Sequence, residues 1–199
     1  LTDLQIKVTT KRTLDNTFHV AFKNKSFTYN GVGQEPKVVV SAAGSALTGG
    51  TQVVLTEGLD YELTYVNNTD AGTATVAVTG VNVYQGSISR DFDINPAQLI
   101  ITARDMNILT GDPVPPANVY EYTVSGLMAD DVLFAEPSFS CGITDSTAAG
   151  RYDIVPSGAD AGTNYNIFYR CGLLTVASEY VSCTVSFDVQ RHGTAPADI

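Results

Sequence analysis

Tryptophan is absent from the sequence, and basic residues are scarce, with 11 Lys and Arg against 21 Asp and Glu. The resulting net charge of −10 does not favour the phosphate backbone of nucleic acids or an anionic membrane as a partner. Long apolar runs are also missing, and no run reaches the roughly 20 residues that a membrane-spanning helix needs. We therefore expect no nucleic-acid partner and no membrane insertion of this segment.

Cysteine and histidine are too few and too scattered to indicate a catalytic or metal site. The chain has three cysteines and two histidines. No cysteine pair has the CxxC spacing of a zinc or redox site. His19 lies within a predicted strand and His192 in a glycine-containing tail, and neither is near a Ser or Cys nucleophile motif. The sequence thus predicts no catalytic, cofactor or metal residue, and a protein that is not an enzyme.

Several side-chain groups nevertheless have to be weighed as sites. The pair Asp130-Asp131 lies beside a predicted helical turn, where carboxylates stabilise exposed N–H groups. Asn67, Asn68 and Asp70 share one turn, where Asx residues are ordinary turn formers and calcium is the alternative. Since tryptophan is absent, the strand tyrosines are interpreted as packing at the rim of the core and not as a sugar-stacking surface. These tyrosines are Tyr61, Tyr65, Tyr120, Tyr122 and Tyr169.

What the sequence does contain is β-branched and aromatic residues in short alternating runs, which is typical of strands. One phrase occurs twice, as Ala71–Gly80 and as Ala149–Gly158, and each copy is followed by Asn and Tyr. Each copy combines an Ala-Gly turn, a half-buried strand and a closing Gly. We interpret the chain as two diverged β-modules in tandem.

The alternation also predicts local details. Arg90 falls on the inward parity of its strand, which indicates a bulge or an edge position. The parity changes again at Gly172, which predicts a glycine bulge. A strand is predicted over residues 119–124 and a helical turn over residues 125–133. Cys141 and Cys171 are predicted to face inward, either as two small buried side chains or as a disulfide, and Cys183 is expected to be unpaired.

Residues 27–94 resemble a bacterial Ig-like repeat of large surface proteins. This resemblance is carried by Tyr29-Asn30-Gly31, Pro36-Lys37-Val38, Asp60-Tyr61, Tyr65, Asn67-Asn68, Ala71-Gly72-Thr73-Ala74, Gly80, Tyr84-Gln85-Gly86 and Phe92-Asp93-Ile94. The resemblance implies an Ig-like sandwich.

Residues 98–177 resemble an MBG-type module of similar proteins. The residues that carry this second resemblance are Ile101-Thr102-Ala103, Thr110-Gly111-Asp112-Pro113, Tyr122 to Leu127, Asp130-Asp131, Ala149 to Ile154, Pro156-Ser157-Gly158, Asn164-Tyr165 and Gly172 to Val176. The tail from Tyr180 to Asp188, with His192 to Asp198, resembles the start of a Listeria–Bacteroides (internalin B-type) repeat.

Together these features predict an all-β, mainly antiparallel chain of small tandem modules. The predicted division is an N-terminal strand and connector (1–26), a bacterial Ig-like module (27–95), an MBG-type module (96–178) and the truncated start of a further repeat (179–199). The second module is Ig-like or β-grasp-like, with one short helical turn.

The resemblances imply an extracellular segment of a bacterial surface protein, on the cell surface or secreted. We expect a monomeric stalk or spacer whose partners are neighbouring domains of the same protein, with a contribution to adhesion. The alternatives are a module that binds a glycan or a host surface protein, and an accessory region of a secreted glycan-active enzyme.

Overall fold

The structure is a computed structural model that describes residues 10–44, 50–128, 130–143 and 148–178. Within these ranges about half of the residues lie in strands, and the one short helical element is a 3-10 turn at Ala117–Val119. The predicted all-β class is therefore confirmed. The described part contains no helix with the length and apolar character needed to cross a bilayer. Residues 1–9 of the predicted N-terminal strand and connector, and the predicted start of a further repeat (179–199) with Cys183 and His192, lie outside the described residues.

The described residues of the first half, 10–44 and 50–95, have nine strands in three sheets. The strands are β1 (Arg12–Thr13), β2 (Phe18–Phe22), β3 (Ser26–Thr28), β4 (Val38–Ala42), β5 (Val53–Val54), β6 (Tyr61–Val66), β7 (Gly72–Gly80), β8 (Tyr84–Gln85) and β9 (Ser87–Asn95). The sheet orders are β1-β8, β2-β4-β5 and β3-β9-β7-β6. The sheets of this half therefore include strands on both sides of the predicted boundary at residue 27.

In the second half, residues 96–178, the residues that the structure describes form seven strands in two sheets. These are β10 (Ala97–Ala103), β11 (Met106–Leu109), β12 (Tyr122–Ser125), β13 (Ser138–Cys141), β14 (Gly150–Ser157), β15 (Tyr165–Arg170) and β16 (Gly172–Ala177). The sheet orders are β12-β10-β15 and β11-β16-β14-β13. The predicted strand over residues 119–124 thus begins only at Tyr122, because Val119 belongs to the 3-10 turn.

Alternating side chains build the cores, as the period of two in a strand requires. Ala74, Val76 and Val78 of β7 are fully buried. In the second half Ala103, Ile154 and Leu174, from strands of both sheets, meet in one buried cluster. Two sheets that share a core, with no helix covering either of them in the described residues, form a sandwich arrangement and not a β-grasp fold.

The two halves use the same pattern of strand pairing. The parallel pairs β1–β8 and β3–β9 of the first half correspond to β10–β15 and β11–β16 of the second. The antiparallel order β6-β7-β9 corresponds to β13-β14-β16, and the pair β2–β4 corresponds to β10–β12. The strands β7 and β14 contain the two copies of the repeated phrase. The shared topology agrees with the interpretation of two related modules.

Segment 125–133 differs from its prediction, since residues 125–128 and 130–133 contain no helix. Gly126 has φ +95°, and a Cβ at this position would lie 2.3 Å from the carbonyl oxygen of Gln98. The segment is therefore held close against β10. Its Met128 N–H and its Asp131 carboxylate bond to tyrosine hydroxyls. These tertiary contacts override the local helical preference.

The change of inward and outward faces at Gly172 does not come from the glycine bulge that the sequence predicted. No bulge forms there, because β15 ends at Arg170 and the chain enters the other sheet as β16. The backbone passes so close to β10 that a Cβ on Gly172 would lie 2.6 Å from the carbonyl oxygen of Arg104. Only glycine fits this crossing without a shift of the backbone.

At Arg90 the two predicted alternatives can be separated. The β7–β9 ladder runs without interruption through the pair Val76 and Arg90, so there is no bulge. Strand β3 pairs only with Asp93 to Asn95. Among the described residues, the first part of β9, including Arg90, is therefore an edge, where a long charged side chain can reach the solvent.

Candidate functional site

A single residue, Pro96, separates the last strand of the first half from the first strand of the second half. Backbone bonds hold both sides of this link. The Tyr29 N–H donates to the carbonyl of Asn95 over 2.8 Å, and the Ala97 N–H donates to the carbonyl of Asn164 over 2.9 Å. Since Pro96 is also restricted in φ, the link leaves little freedom to the backbone.

One carboxylate oxygen joins side chains from both halves across this link. The Tyr29 hydroxyl donates to Oδ2 of Asp131 over 2.9 Å, and the Tyr165 hydroxyl donates to the same oxygen. The Tyr165 hydroxyl also accepts the N–H of Met128 at 3.0 Å. The rings of Tyr29 and Tyr165 meet edge to face, with centroids 5.5 Å apart. We call Tyr29, Asp131 and Tyr165 the junction triad.

The environment of the triad keeps both hydroxyls protonated as donors. Burial, followed by the hydrogen bond to Asp131, raises the pKa of Tyr165 to about 12. For Tyr29 the bond to Asp131 is the larger cause, and burial adds to it, so the pKa of Tyr29 is also raised. A hydrogen bond to an ionised acceptor is stronger than one between neutral groups. The triad is therefore a charge-assisted contact at neutral pH.

The side chain of Asn164 makes a second polar contact between the halves. Its Oδ1 accepts the N–H of Ala71 at 2.7 Å, and its Nδ2 donates to Oδ1 of Asp70 at 2.9 Å. Asn164 precedes β15, while Asp70 and Ala71 form the turn before β7. The turn of the first repeated phrase thus binds the Asn that follows the second one.

Apolar burial continues across the junction. Ala97, Leu99, Ala161 and Tyr165 of the second half belong to the same buried cluster as the core of the first half. A continuous apolar contact of this kind resists separation of the halves, because separating them would expose it to water. The junction therefore combines a short link, two polar contacts and shared packing.

A cleft of about 490 Å³ opens beside the junction. Its walls include carboxylates, the exposed side chains of Val132 and Phe134, and the backbone around Gly162. The lining residues are Asp70, Asp130, Asp131, Val132, Phe134, Ala161, Gly162, Thr163, Asn164 and Tyr165. Nine of these ten residues belong to the second half, and Asp70 comes from the first half.

The structure places Asp131 and Asp70 at this junction, while Asn67, Asn68 and Asp70 lie in the turn between β6 and β7. Asp131 belongs to the junction triad and does not stabilise N–H groups of a helical turn, so that interpretation of the acid pair is wrong. Asp70 bonds to Asn164, and the amide of Asn68 donates to the carbonyl of Gln34. Within the described residues, no group of three or more His, Cys, Asp and Glu side chains is placed to hold a metal ion.

The remaining candidates are dispersed. His19 lies exposed on β2. Tyr61 and Tyr65 of β6 bond through their hydroxyls to backbone carbonyls of the first half, while Tyr120 and Tyr122 pack on Phe139 of the second half. Tyr169 is exposed and accepts the N–H of Ala159. The five tyrosines form no common surface.

The cysteines do not form the disulfide that was considered as an alternative. Cys141 is a half-buried free thiol at the end of β13, and burial raises its pKa. Cys171 is also free, and it is exposed instead of facing inward. The reason is the crossing between β15 and β16, which breaks the alternation on which the inward parity of Cys171 rested.

The sequence did not indicate that Tyr29, Asp131 and Asn164-Tyr165 meet. Tyr29 and Asp131 are 102 residues apart. These four residues are among those that carry the resemblance to surface-protein modules, so the sequence marked each of them individually. Their mutual contact could not be predicted from the sequence, because it depends on how the two halves pack together.

Comparison with known proteins gives one match. Residues 99–175 match the family model described as MBG domain (YGX type). No curated protein and no solved structure matches the chain. The Ig-like resemblance of residues 27–94 and the repeat resemblance of the tail stay predictions. The family match supports an MBG-type module in the second half of the chain, and such modules are typical of bacterial surface proteins.

Proposed function

We propose that this chain is a non-enzymatic spacer segment of a bacterial surface protein, and that it holds neighbouring domains at a fixed distance and orientation. The MBG-type module supports a surface protein. The segment acts outside the cell, as a monomer, and its partners are the neighbouring domains of the same protein. Its mechanism is mechanical and consists in resisting bending at the junction.

The observation that carries this proposal is the junction triad. A spacer made of two modules is only as stiff as the joint between them, and module interfaces within a chain are mobile unless they are large and apolar. Here Asp131 receives two hydroxyls, one from each half, above a shared apolar core. Bending would break charge-assisted bonds and expose buried rings.

The test compares two adjacent carboxylates. Asp131→Asn weakens the acceptor of both tyrosine hydroxyls, whereas Asp130→Asn makes the same charge change at an exposed residue outside the triad. Rotational diffusion of each half is measured by ¹⁵N relaxation of the full chain. We expect a single tumbling tensor for the wild type and for Asp130→Asn, and more independent tumbling of the halves for Asp131→Asn.

Two results would count against the spacer role. One is independent tumbling of the halves in the wild type. The other is an Asp131→Asn variant that stays folded and tumbles as one body, as the wild type does. Protease accessibility of the segment on intact cells tests the surface location, and sedimentation velocity tests the monomeric state.

A further inference from the structure

We propose that the cleft beside the junction is a docking site for a basic side chain, lysine or arginine, of a partner protein. This role is additional to the spacer role. It uses Val132, Phe134 and Asp130, which are not among the contacts that hold the halves together, and it shares only Asp70 and Asp131 with those contacts. Four observations carry it: exposed apolar side chains, unmatched carboxylates, the size of the cleft and its position.

The apolar wall of the cleft is exposed but held in place. The side chain of Phe134 is 73% exposed and that of Val132 is 64% exposed. The Phe134 N–H donates to the carbonyl of Asp160 at 2.7 Å, and the next residue, Ala135, forms a bridge with Asp160. The ring lies against Gly162, where a Cβ would be only 2.8 Å from Cε2 of Phe134. A fixed, exposed aromatic ring is typical of a contact surface.

The polar wall carries negative charge without a matching cation. Asp70, Asp130 and Asp131 all line the cleft, and no Lys or Arg does. The single ion pair among the residues that the structure describes, Arg104 with Glu121, lies elsewhere. Within the same residues the Asp130 carboxylate has no hydrogen-bond or ion-pair partner. Charge complementarity therefore favours a cationic occupant.

The two walls together suit the two parts of a basic side chain. The methylene stem of lysine or arginine packs on apolar surface, while the charged head group remains in a polar environment. In this cleft the stem would lie along Val132 and Phe134, and the head would reach Asp130 and Asp70. A cation close to the face of an aromatic ring gains a further attraction, which is larger for arginine. A neutral sugar would stack on the Phe134 ring but would gain little electrostatic attraction from the three carboxylates.

The dimensions and the position of the cleft agree with a small recognition site. Its volume of about 490 Å³ falls within the range of roughly 300–1,000 Å³ that is usual for ligand sites, and such sites occur preferentially between domains. One side chain with its flanking backbone fits this space. Asp70 is the one lining residue from the first half, so its place in the docking site depends on the fixed orientation of the halves.

The test is an NMR titration of the ¹⁵N-labelled full chain with three probes. The first is the peptide acetyl-Gly-Arg-Gly-amide, the second is its Glu counterpart, and the third is a trimer of N-acetylglucosamine. We expect the Arg peptide to shift the amides of residues 130–134 and 162–165, with millimolar affinity that weakens as salt is raised. The Glu peptide and the sugar are expected to leave these amides unchanged.

Matched variants locate the site. Phe134→Ala and Asp130→Asn should each weaken binding of the Arg peptide by about two- to five-fold. Phe168→Ala, at a 51% exposed ring outside the cleft, and Glu62→Gln, at an exposed carboxylate of β6, should leave binding unchanged. Equal weakening by these controls, shifts spread over the whole surface, or shifts produced by the sugar and not by the Arg peptide would each overturn the proposal. Asp130→Asn leaves the triad intact, so loss of docking and loss of stiffness are measured separately.

Discussion

Asp130 and Asp131 are neighbours of the same residue type, yet the fold gives them different tasks. Asp131 accepts two tyrosine hydroxyls and joins the halves, while Asp130 faces the cleft. Nothing in the local sequence distinguishes them, because the difference depends on Tyr29, which lies 102 residues before Asp131. At the residue scale, therefore, the candidate site could not be predicted from the sequence, although the acid pair itself stood out.

The junction triad gives the stability of the chain a specific dependence on alkaline pH. The pKa of Tyr165 is raised from 10.0 to about 12 by burial and by the bond to Asp131. A raised pKa means that the folded state holds this proton more tightly than the unfolded chain does. Its contribution to stability is thus complete below pH 10 and is lost as the pH rises towards 12. Urea unfolding of the wild type at pH 8, 10 and 11.5 should show this loss.

Tyr165→Phe provides the control for this pH dependence. The variant should be less stable at pH 8 by about 1–3 kcal/mol, because a hydrogen bond to a charged acceptor is removed. It should then lose less stability between pH 10 and 12 than the wild type, since its residue 165 no longer titrates. Parallel losses in both proteins would show that Tyr165 is not the titrating group.

At the scale of single elements, local patterns predicted the structure well. The strands predicted in the two repeated phrases form as β7 and β14, and the inward face of β7 is fully buried. These features depend on neighbouring residues alone. The parallel pairs were not predicted, because Ser26 and Asp93, for example, are partners from opposite ends of the first half. The crossing at Gly172 was mistaken for a bulge, since both give the same change of parity in the sequence.

That crossing predicts a large effect of adding one methyl group. In Gly172→Ala the new Cβ would lie 2.6 Å from the carbonyl oxygen of Arg104 and 2.8 Å from that of Ala103. Both obstacles are backbone atoms that cannot rotate away, so we expect a loss of about 1–3 kcal/mol in the free energy of unfolding. Urea denaturation measures it.

Gly142→Ala is the matched control for this change. Gly142 is exposed, and a Cβ there would meet no atom within 4 Å. Its effect should stay within about 0.5 kcal/mol. Similar destabilisation by both substitutions would mean that the close approach of the backbone at Gly172 is not the cause of the stability loss in Gly172→Ala.

At the scale of the whole molecule, the sequence indicated two modules, and the structure shows the short link, the polar contacts and the packing that join the two halves. The shared topology of the halves agrees with an interpretation that rested on one repeated phrase. The continuous core at Ala97, Leu99 and Ala161 could not be predicted, because alternation identifies a buried face without naming the partner that covers it.

The parallel pairing of its first and last strands, β10 and β16, determines how the second half would bear tension. In the second half a pull would enter at Ala97 of β10 and leave at Ala177 of β16. Because β10 runs parallel to β15, and β11 runs parallel to β16, such a pull slides paired strands along each other and loads their hydrogen bonds together. When two antiparallel strands are instead pulled apart at the end where their residues are paired, their hydrogen bonds break one after another.

Single-molecule stretching can test this consequence. With handles at the two termini, the second half should unfold at a higher force than with handles at Ser138 and Ser157, which are antiparallel partners of β13 and β14. Equal forces in the two geometries would contradict the expectation. A chain arranged in this way is a tether whose strength lies along the line that joins its ends.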